Sequence, residues 1–287
     1  METEFIKGEG FSASVTLDAG LYHALEKRVR AQLNAQGETP KLLRDLADVL
    51  RAQGDLREAT EVLDRVTALD PSCPKTHYMC AALRGDVTGL KLPDGAVSVP
   101  VAVIPDAFPQ KVYEILFAEA TRSEEEYVED KVVINGMATC DRKFRYSYRK
   151  QLSREYEDLY LTHLMPLLEK TVPKLGIGWP TARPPSKKFS LCRHGAYFLP
   201  HQDHGYHDRM VSIVYHMHQL PRMFKGGQLA VFDTDYETKQ ALDKFTLYDF
   251  QPNMLAIFPS WAMHEVLPVS LPNDEFQHGR FAVVSHC

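Results

Sequence analysis

Apolar residues recur with two different periods along the chain, and the change of period divides it. Over residues 17–36, Tyr22, Leu25, Val29 and Leu33 fall three or four apart, the spacing of one helix face, and Gly37 ends the run. Leu43, Leu46, Ala47 and Leu50 predict a second helix and Gly54 a turn. Ala59, Leu63 and Val66 predict a third helix that stops at Asp70-Pro71, and a further one is expected over 75–84. Residues 89–100 are rich in Gly, Pro and Val, with a turn at Pro93-Asp94-Gly95, and read as a linker. Then come a strand at 101–104 and a helix over 110–121 with Val112, Ile115 and Leu116 inward. Strands at 132–134 and 143–148 lie around a turn at Gly136. A long amphipathic helix over 152–170 buries Tyr156, Leu159, Leu164, Leu167 and Leu168, with Pro166 as a kink. Residues 173–185 are a loop with four prolines.

After Pro185 the period drops to two. Strands are predicted at 187–193, 196–201, 210–218, 227–232, 245–250, 254–258, 264–269 and 280–285. Eight short strands with glycine and proline corners predict a double-sheet jelly roll rather than a parallel sheet. The fold class is therefore α+β, and the expected units are 1–86 (helical), 87–97 (linker) and 98–287, with the β-core from about 186. Within 143–148, alternation puts Phe144, Tyr146 and Tyr148 on one face and Lys143, Arg145 and Ser147 on the other. That basic face is expected to be solvated, with an acidic substrate beside a pocket as the alternative.

The helical half resembles a tetratricopeptide repeat, because Ala47, Gly54, Ala59 and Pro71 fall in step with that template over residues 40–71. Such repeats usually offer a concave face to a peptide, a protein partner or a second copy of the chain. One complete repeat has little groove, so a cap packed on the next domain is the preferred reading. The net charge of −5 gives no support to nucleic-acid or anionic-membrane binding, and no apolar run is long enough to span a bilayer. Five scattered cysteines without a C-x-x-C pair, and an acidic N-terminus without a signal-peptide core, fit a reducing cytoplasm. Histidine alone is skewed: nine of 12 lie between His194 and His286, which directs the search for chemistry there.

Within that region His201 and Asp203 are two apart at the end of a predicted strand, so an imidazole and a carboxylate leave one face together. A second imidazole, His264 at the head of a later strand, would complete a two-histidine, one-carboxylate site of the kind that holds non-haem Fe(II). His216 and His218 follow Tyr215 on one strand without a carboxylate, and a metal role for them is not expected. His204 and His207 read as polar loop residues. Trp261 is either a pocket wall or a packing residue, and Cys192 and Cys287 have no assigned role.

The ordered set His201-x-Asp203, Gly226-Gly227-Gln228-Leu229, Asn253-Met254-Leu255-Ala256-Ile257-Phe258-Pro259, His264-Glu265-Val266 and Gly279-Arg280-Phe281-Ala282 resembles the Fe(II)/2-oxoglutarate-dependent oxygenases of the prolyl 4-hydroxylase type, over about residues 98–287. The resemblance implies a double-stranded β-helix (cupin-like) core, with His201, Asp203 and His264 as iron ligands. It implies Arg280 as the partner of the distal 2-oxoglutarate carboxylate, and Tyr215, with Tyr197 as a second candidate, as phenols that bond the co-substrate. Arg280 stands 16 residues beyond His264, further than is usual in the family, which a longer loop at 271–278 accounts for. Asp203 argues against the related halogenases, which lack the carboxylate. The implied reaction couples decarboxylation of 2-oxoglutarate, to succinate and CO2, with hydroxylation of a C–H bond by O2, ascorbate being an accessory reductant. A peptidyl or amino-acid-like substrate is expected. A small natural product is the alternative, and a non-enzymatic interaction scaffold is the reading from another class.

Overall fold

The structure, a computed structural model, describes residues 19–287 apart from 54, 74–75, 78–79, 81–98, 135–136, 176–185, 204–208 and 235–240. The N-terminal arm, the 87–97 linker, the Gly136 turn, His204, His207 and parts of the 75–84 helix and the 173–185 loop lie outside the described residues. The first elements are the helices α1 (Ala19–Gln36), α2 (Pro40–Gln53) and α3 (Leu56–Leu69). Asp55 caps α3 by accepting from the Glu58 amide at 3.1 Å. The predicted apolar positions Leu43, Leu46, Ala47, Leu50, Ala59, Leu63 and Val66 form one buried cluster with Val29 and Cys80.

The rest is built from β1 (Ala102–Ile104), α4 (Gln110–Ala120), β2 (Val128–Glu129), β3 (Val132–Ile134), β4 (Met137–Thr139), β5 (Arg145–Tyr146), β6 (Tyr148–Gln151) and α5 (Arg154–Thr171). Then follow β7 (Ser186–Cys192), β8 (Tyr197–His201), β9 (Val211–Met217), β10 (Lys225–Gly226), β11 (Leu229–Thr234), β12 (Ala241–Tyr248), β13 (Met254–Pro259), β14 (His264–Val266), β15 (Val269–Ser270) and β16 (Arg280–His286). All eight predicted late strands are present. They form a major sheet, β1-β13-β9-β16-β7-β6-β2, facing a minor sheet, β12-β11-β14-β8-β5, with every pair antiparallel. This is the double-stranded β-helix expected from the sequence.

Alternation on the major sheet sorts two cores. Ile213, Tyr215, Leu255, Ile257, Phe281 and Val283 face outward and bury α4 and α5 through Leu116, Tyr160, Leu164 and Leu168. Ala256 and Phe258 face inward, against Leu229, Val231, Tyr248 and Phe250 of the minor-sheet side. Tyr113 fills the inner face of α4 where Ile115 was expected; Ile115 is exposed, because the α4 face in contact is set by Val112, Tyr113 and Leu116. The helical repeat lies on the back of the minor sheet, where Leu25 and Val49 pack against Ala230, Phe232, Phe245 and Leu247. No helix among the described residues is long and apolar enough to cross a membrane.

Candidate metal and co-substrate site

His201 ends β8, His264 opens β14, and the two residues are cross-strand partners. Such partners project from the same face, so the imidazole centroids are 4.2 Å apart. Asp203 follows just past the end of β8. One ligand atom from each of His201, Asp203 and His264 lies within 4.8 Å of the others. His201 Nε2 is 3.7 Å from one Asp203 oxygen and His264 Nε2 3.4 Å from the other.

Each imidazole is fixed by the carbonyl two residues upstream. His201 Nδ1 donates to Leu199 at 2.8 Å and His264 Nδ1 to Ala262 at 2.9 Å. A carbonyl can only accept, so the proton sits on Nδ1 and the Nε2 lone pairs turn toward Asp203. The turn between β13 and β14 holds the cradle from beneath. Successive carbonyls of Ser260, Trp261 and Ala262 accept from the Asp203 amide, the Gln202 side chain and His264, all at 2.9 Å. Burial and the neighbouring His264 push the His201 imidazolium far below its ordinary value, which keeps the ring neutral. Burial opposes ionisation of Asp203, but His286 and His264 outweigh it and hold the carboxyl well below the usual range. Two imidazoles and one carboxylate are the donor set a divalent iron needs.

Two neighbours of Asp203 escaped the sequence reading. Ser212 donates to its Oδ2 at 2.7 Å, and His286 Nε2 stands 3.1 Å from the same oxygen. The signal for His286 was available: it lies six residues after Arg280 on one strand, an even step that keeps both on one face. Ser212 carried no such mark.

Tyr197 does not share the His201 face. Between His264 and Val266 the β14 chain advances two residues while β8 runs from His201 to Phe198, a bulge at Leu199-Pro200. An extra residue inverts the alternation, so Phe198 is the one stacked on His201, with centroids 3.4 Å apart. The Tyr197 hydroxyl instead donates to the Arg142 carbonyl. Tyr215 is on the wrong face as well. It points into the helix-side core, stacks on Phe108 at 4.4 Å and donates to Asn253 Oδ1 at 2.7 Å. Burial raises its phenol pKa. Its task is to fasten the segment before α4, since Asn253 also bonds the backbone of Phe108 through both side-chain atoms.

Arg280 is 6 % exposed at the start of β16 and has no carboxylate within ion-pair distance among the described residues. Its Nη2 is 3.5 Å from His216 Nδ1 and its Nη1 4.0 Å from Cys192 Sγ. His216 stacks on Phe250 at 3.7 Å, and His218 packs edge-on to Phe224, so both belong to the Arg280 recess. A buried guanidinium that lacks a carboxylate is costly to keep, and it fits the far carboxylate of a dicarboxylic acid. Trp261 packs at the margin of the inner core.

Residues 188–285 match the 2OG-Fe(II) oxygenase superfamily, and residues 40–83 match a tetratricopeptide repeat. An uncharacterized PKHD-type hydroxylase of Synechocystis is 35% identical over 94 residues, which span 31% of this chain and 31% of that protein. Among solved structures, a prolyl-4-hydroxylase of Pseudomonas putida is 21% identical with a TM-score of 0.47, over 66% of this chain and 92% of that one. A prolyl hydroxylase of Trichoplax adhaerens, solved with a peptide fragment of the hypoxia inducible factor oxygen degradation domain, is 16% identical with a TM-score of 0.49, over 67% and 83%. The cofactors of the matched superfamily are Fe(II) and 2-oxoglutarate, with O2. Residues 188–285 are therefore a 2OG-Fe(II) oxygenase domain, and it stands behind a tetratricopeptide repeat at residues 40–83.

Proposed function

We propose that the protein hydroxylates a C–H bond of a peptidyl or amino-acid-like substrate, using Fe(II), 2-oxoglutarate and O2 and releasing succinate and CO2. The observation that carries this reading is the cradle of His201, Asp203 and His264, with both Nδ1 atoms tied to backbone carbonyls and both Nε2 atoms facing the carboxylate. These three residues would hold iron, which supplies the site for binding 2-oxoglutarate and activating O2. Arg280 anchors the distal carboxylate of 2-oxoglutarate, and Gly227 leaves room for its guanidinium. Ser212 and His286 orient Asp203, while Phe198, Phe258 and Val231 keep bulk water from the imidazoles. The tetratricopeptide repeat acts first as a cap: its α2 helix is docked on the minor sheet, which leaves less of it to receive a partner.

The test is succinate release by protein loaded with Fe(II), paired with metal binding followed by calorimetry. Wild type should bind one divalent ion, and His201→Ala or Asp203→Ala should lose at least about two orders of magnitude in affinity. Each removes one of three ligands. Full metal affinity in Asp203→Ala would sink the assignment, whatever the turnover.

A further inference from the structure

Of the basic strand face expected to be solvated, Lys143 is exposed, but Arg145 and Ser147 are not. Arg145, on β5, has a side chain only 11% exposed, and its guanidinium lies 4.3 Å over the Phe198 ring, which is itself stacked on His201. From the opposite sheet, Lys188 of β7 and Arg149 of β6 turn to the same place, with side chains 22% and 32% exposed. All three cations gather on one carboxylate, Asp130, whose side chain is 1% exposed. Lys188 donates to it at 2.8 Å, Arg149 stands at 3.7 Å, and Arg145 pairs with it while donating to Ser147 at 2.8 Å.

This cluster is inside the barrel, beside the metal cradle and apart from Arg280. Lys188 is the register partner of Val284, on the β16 face that carries Arg280 at one end and His286 at the other. Arg280 is opposite Cys192, four residues from Lys188 along β7, which is roughly 13 Å of strand. Among the described residues, three positive charges on one negative leave a surplus of two. Asp203 also acts on Arg145 but is already engaged by Ser212 and His286. Burial and Arg145 lower the Lys188 ammonium to about 8 even with Asp130 in contact, so Asp130 does not compensate the cluster. Partly buried cations left in excess favour an incoming anion, and the arginine fork gives it direction.

We propose that Arg145, Arg149 and Lys188, gathered on Asp130 between the two sheets, form a subsite for an anionic oxygen group of the primary substrate, a carboxylate or a phosphate. This rests on the oxygenase reading above, because the subsite is defined by its distance from the iron cradle and from Arg280. It narrows the substrate to one that carries its negative group close to the carbon presented to the metal.

The experiment uses the full chain loaded with Mn(II) in place of Fe(II), followed by calorimetry. 2-Oxoglutarate is titrated first; a wild type that does not bind it overturns the oxygenase reading itself. With 2-oxoglutarate saturating, malonate and inorganic phosphate are then titrated as probes of the two anion classes. At least one should bind wild type, and Arg145→Gln and Lys188→Gln should each weaken that binding roughly 10- to 100-fold, the loss of one charge-assisted contact. The tighter probe names the class. Arg149→Gln, at the rim, gives a second reading if either buried variant fails to fold, with a fall of several-fold expected. The subsite is overturned if neither anion binds in the presence of 2-oxoglutarate, or if their affinities are unchanged in the variants. It is also overturned if the variants weaken 2-oxoglutarate as much as Arg280→Gln does, because the cluster then serves the co-substrate.

Discussion

The room allotted to Arg280 is set by a glycine. A Cβ on Gly227 would stand 2.8 Å from Arg280 Cδ and 3.0 Å from Val269 Cγ2, at a φ of +71°. An L side chain pays twice there, in backbone strain and in displacement of the guanidinium. Gly227→Ala should cost about 1–3 kcal/mol of stability and weaken 2-oxoglutarate by about tenfold or more in calorimetry; unaltered affinity would show that Arg280 does not serve the co-substrate. His218, in the same recess, makes a pH prediction. Burial, then Arg222 and Arg280, lower its pKa from the ordinary 6.5 to about 4. The native protein keeps this imidazole neutral while the unfolded chain takes up a proton near 6.5. Its contribution is therefore complete above about pH 6.5 and is lost as the pH falls toward 4, by at most about 3 kcal/mol. Urea unfolding at a series of pH values should show that slope, and His218→Gln should flatten it.

At the scale of elements, what alternation could and could not reveal depends on how many faces of a strand are buried. The late strands were legible because their runs are short, apolar and bounded by turns, and His201, Asp203 and His264 were legible because strand ends present residues in pairs. β9 is different. From Val211 to Met217 it is buried on both faces apart from Val214, so its pattern cannot say which face looks into the barrel. The co-substrate role of Tyr215 rests on the family resemblance alone, and a strand buried on both faces offers no pattern to check it against. The Tyr197 reading failed on a bulge at Leu199-Pro200, which the proline inside a central strand signals. Arg145 was expected in solvent because 143–148 was read as one strand, whereas the chain passes at Ser147 from the minor sheet (β5) to the major one (β6). The Tyr215 correction can be tested directly. Tyr215→Phe should lose about 1 kcal/mol of stability with its bond to Asn253 and leave 2-oxoglutarate affinity within about twofold. A large loss of affinity at constant stability would return the phenol to the site.

For the whole molecule, the question is whether the repeat is a separate module or part of the oxygenase domain's wall. One ion pair decides the matter energetically. Arg51 on α2 donates from both terminal nitrogens to Asp233 on β11, at 2.6 and 2.9 Å, with both side chains at most 3% exposed. Asp233 reaches the helix because the β11–β12 register slips between Phe232 and Thr234, which turns the carboxylate toward the repeat. Around it, Leu25 and Val49 bury the outer face of Phe232 and Phe245. Removing one member of a buried pair leaves the other charged and desolvated, at a cost of about 3–5 kcal/mol, whereas replacing both with apolar groups recovers most of it. Arg51→Met should accordingly lower the thermal midpoint of the oxygenase domain by several degrees, and Arg51→Met combined with Asp233→Leu should restore it. Unfolding of wild type, followed by calorimetry, should be one transition, since the minor sheet that carries His201 and His264 has the repeat as its outer layer. If the repeat melted separately, and Arg51→Met left the second transition unmoved, it would be a tethered docking module, and the helices would be free to serve a partner. A single transition that shifts with Arg51 makes them a structural support of the His201, Asp203 and His264 cradle.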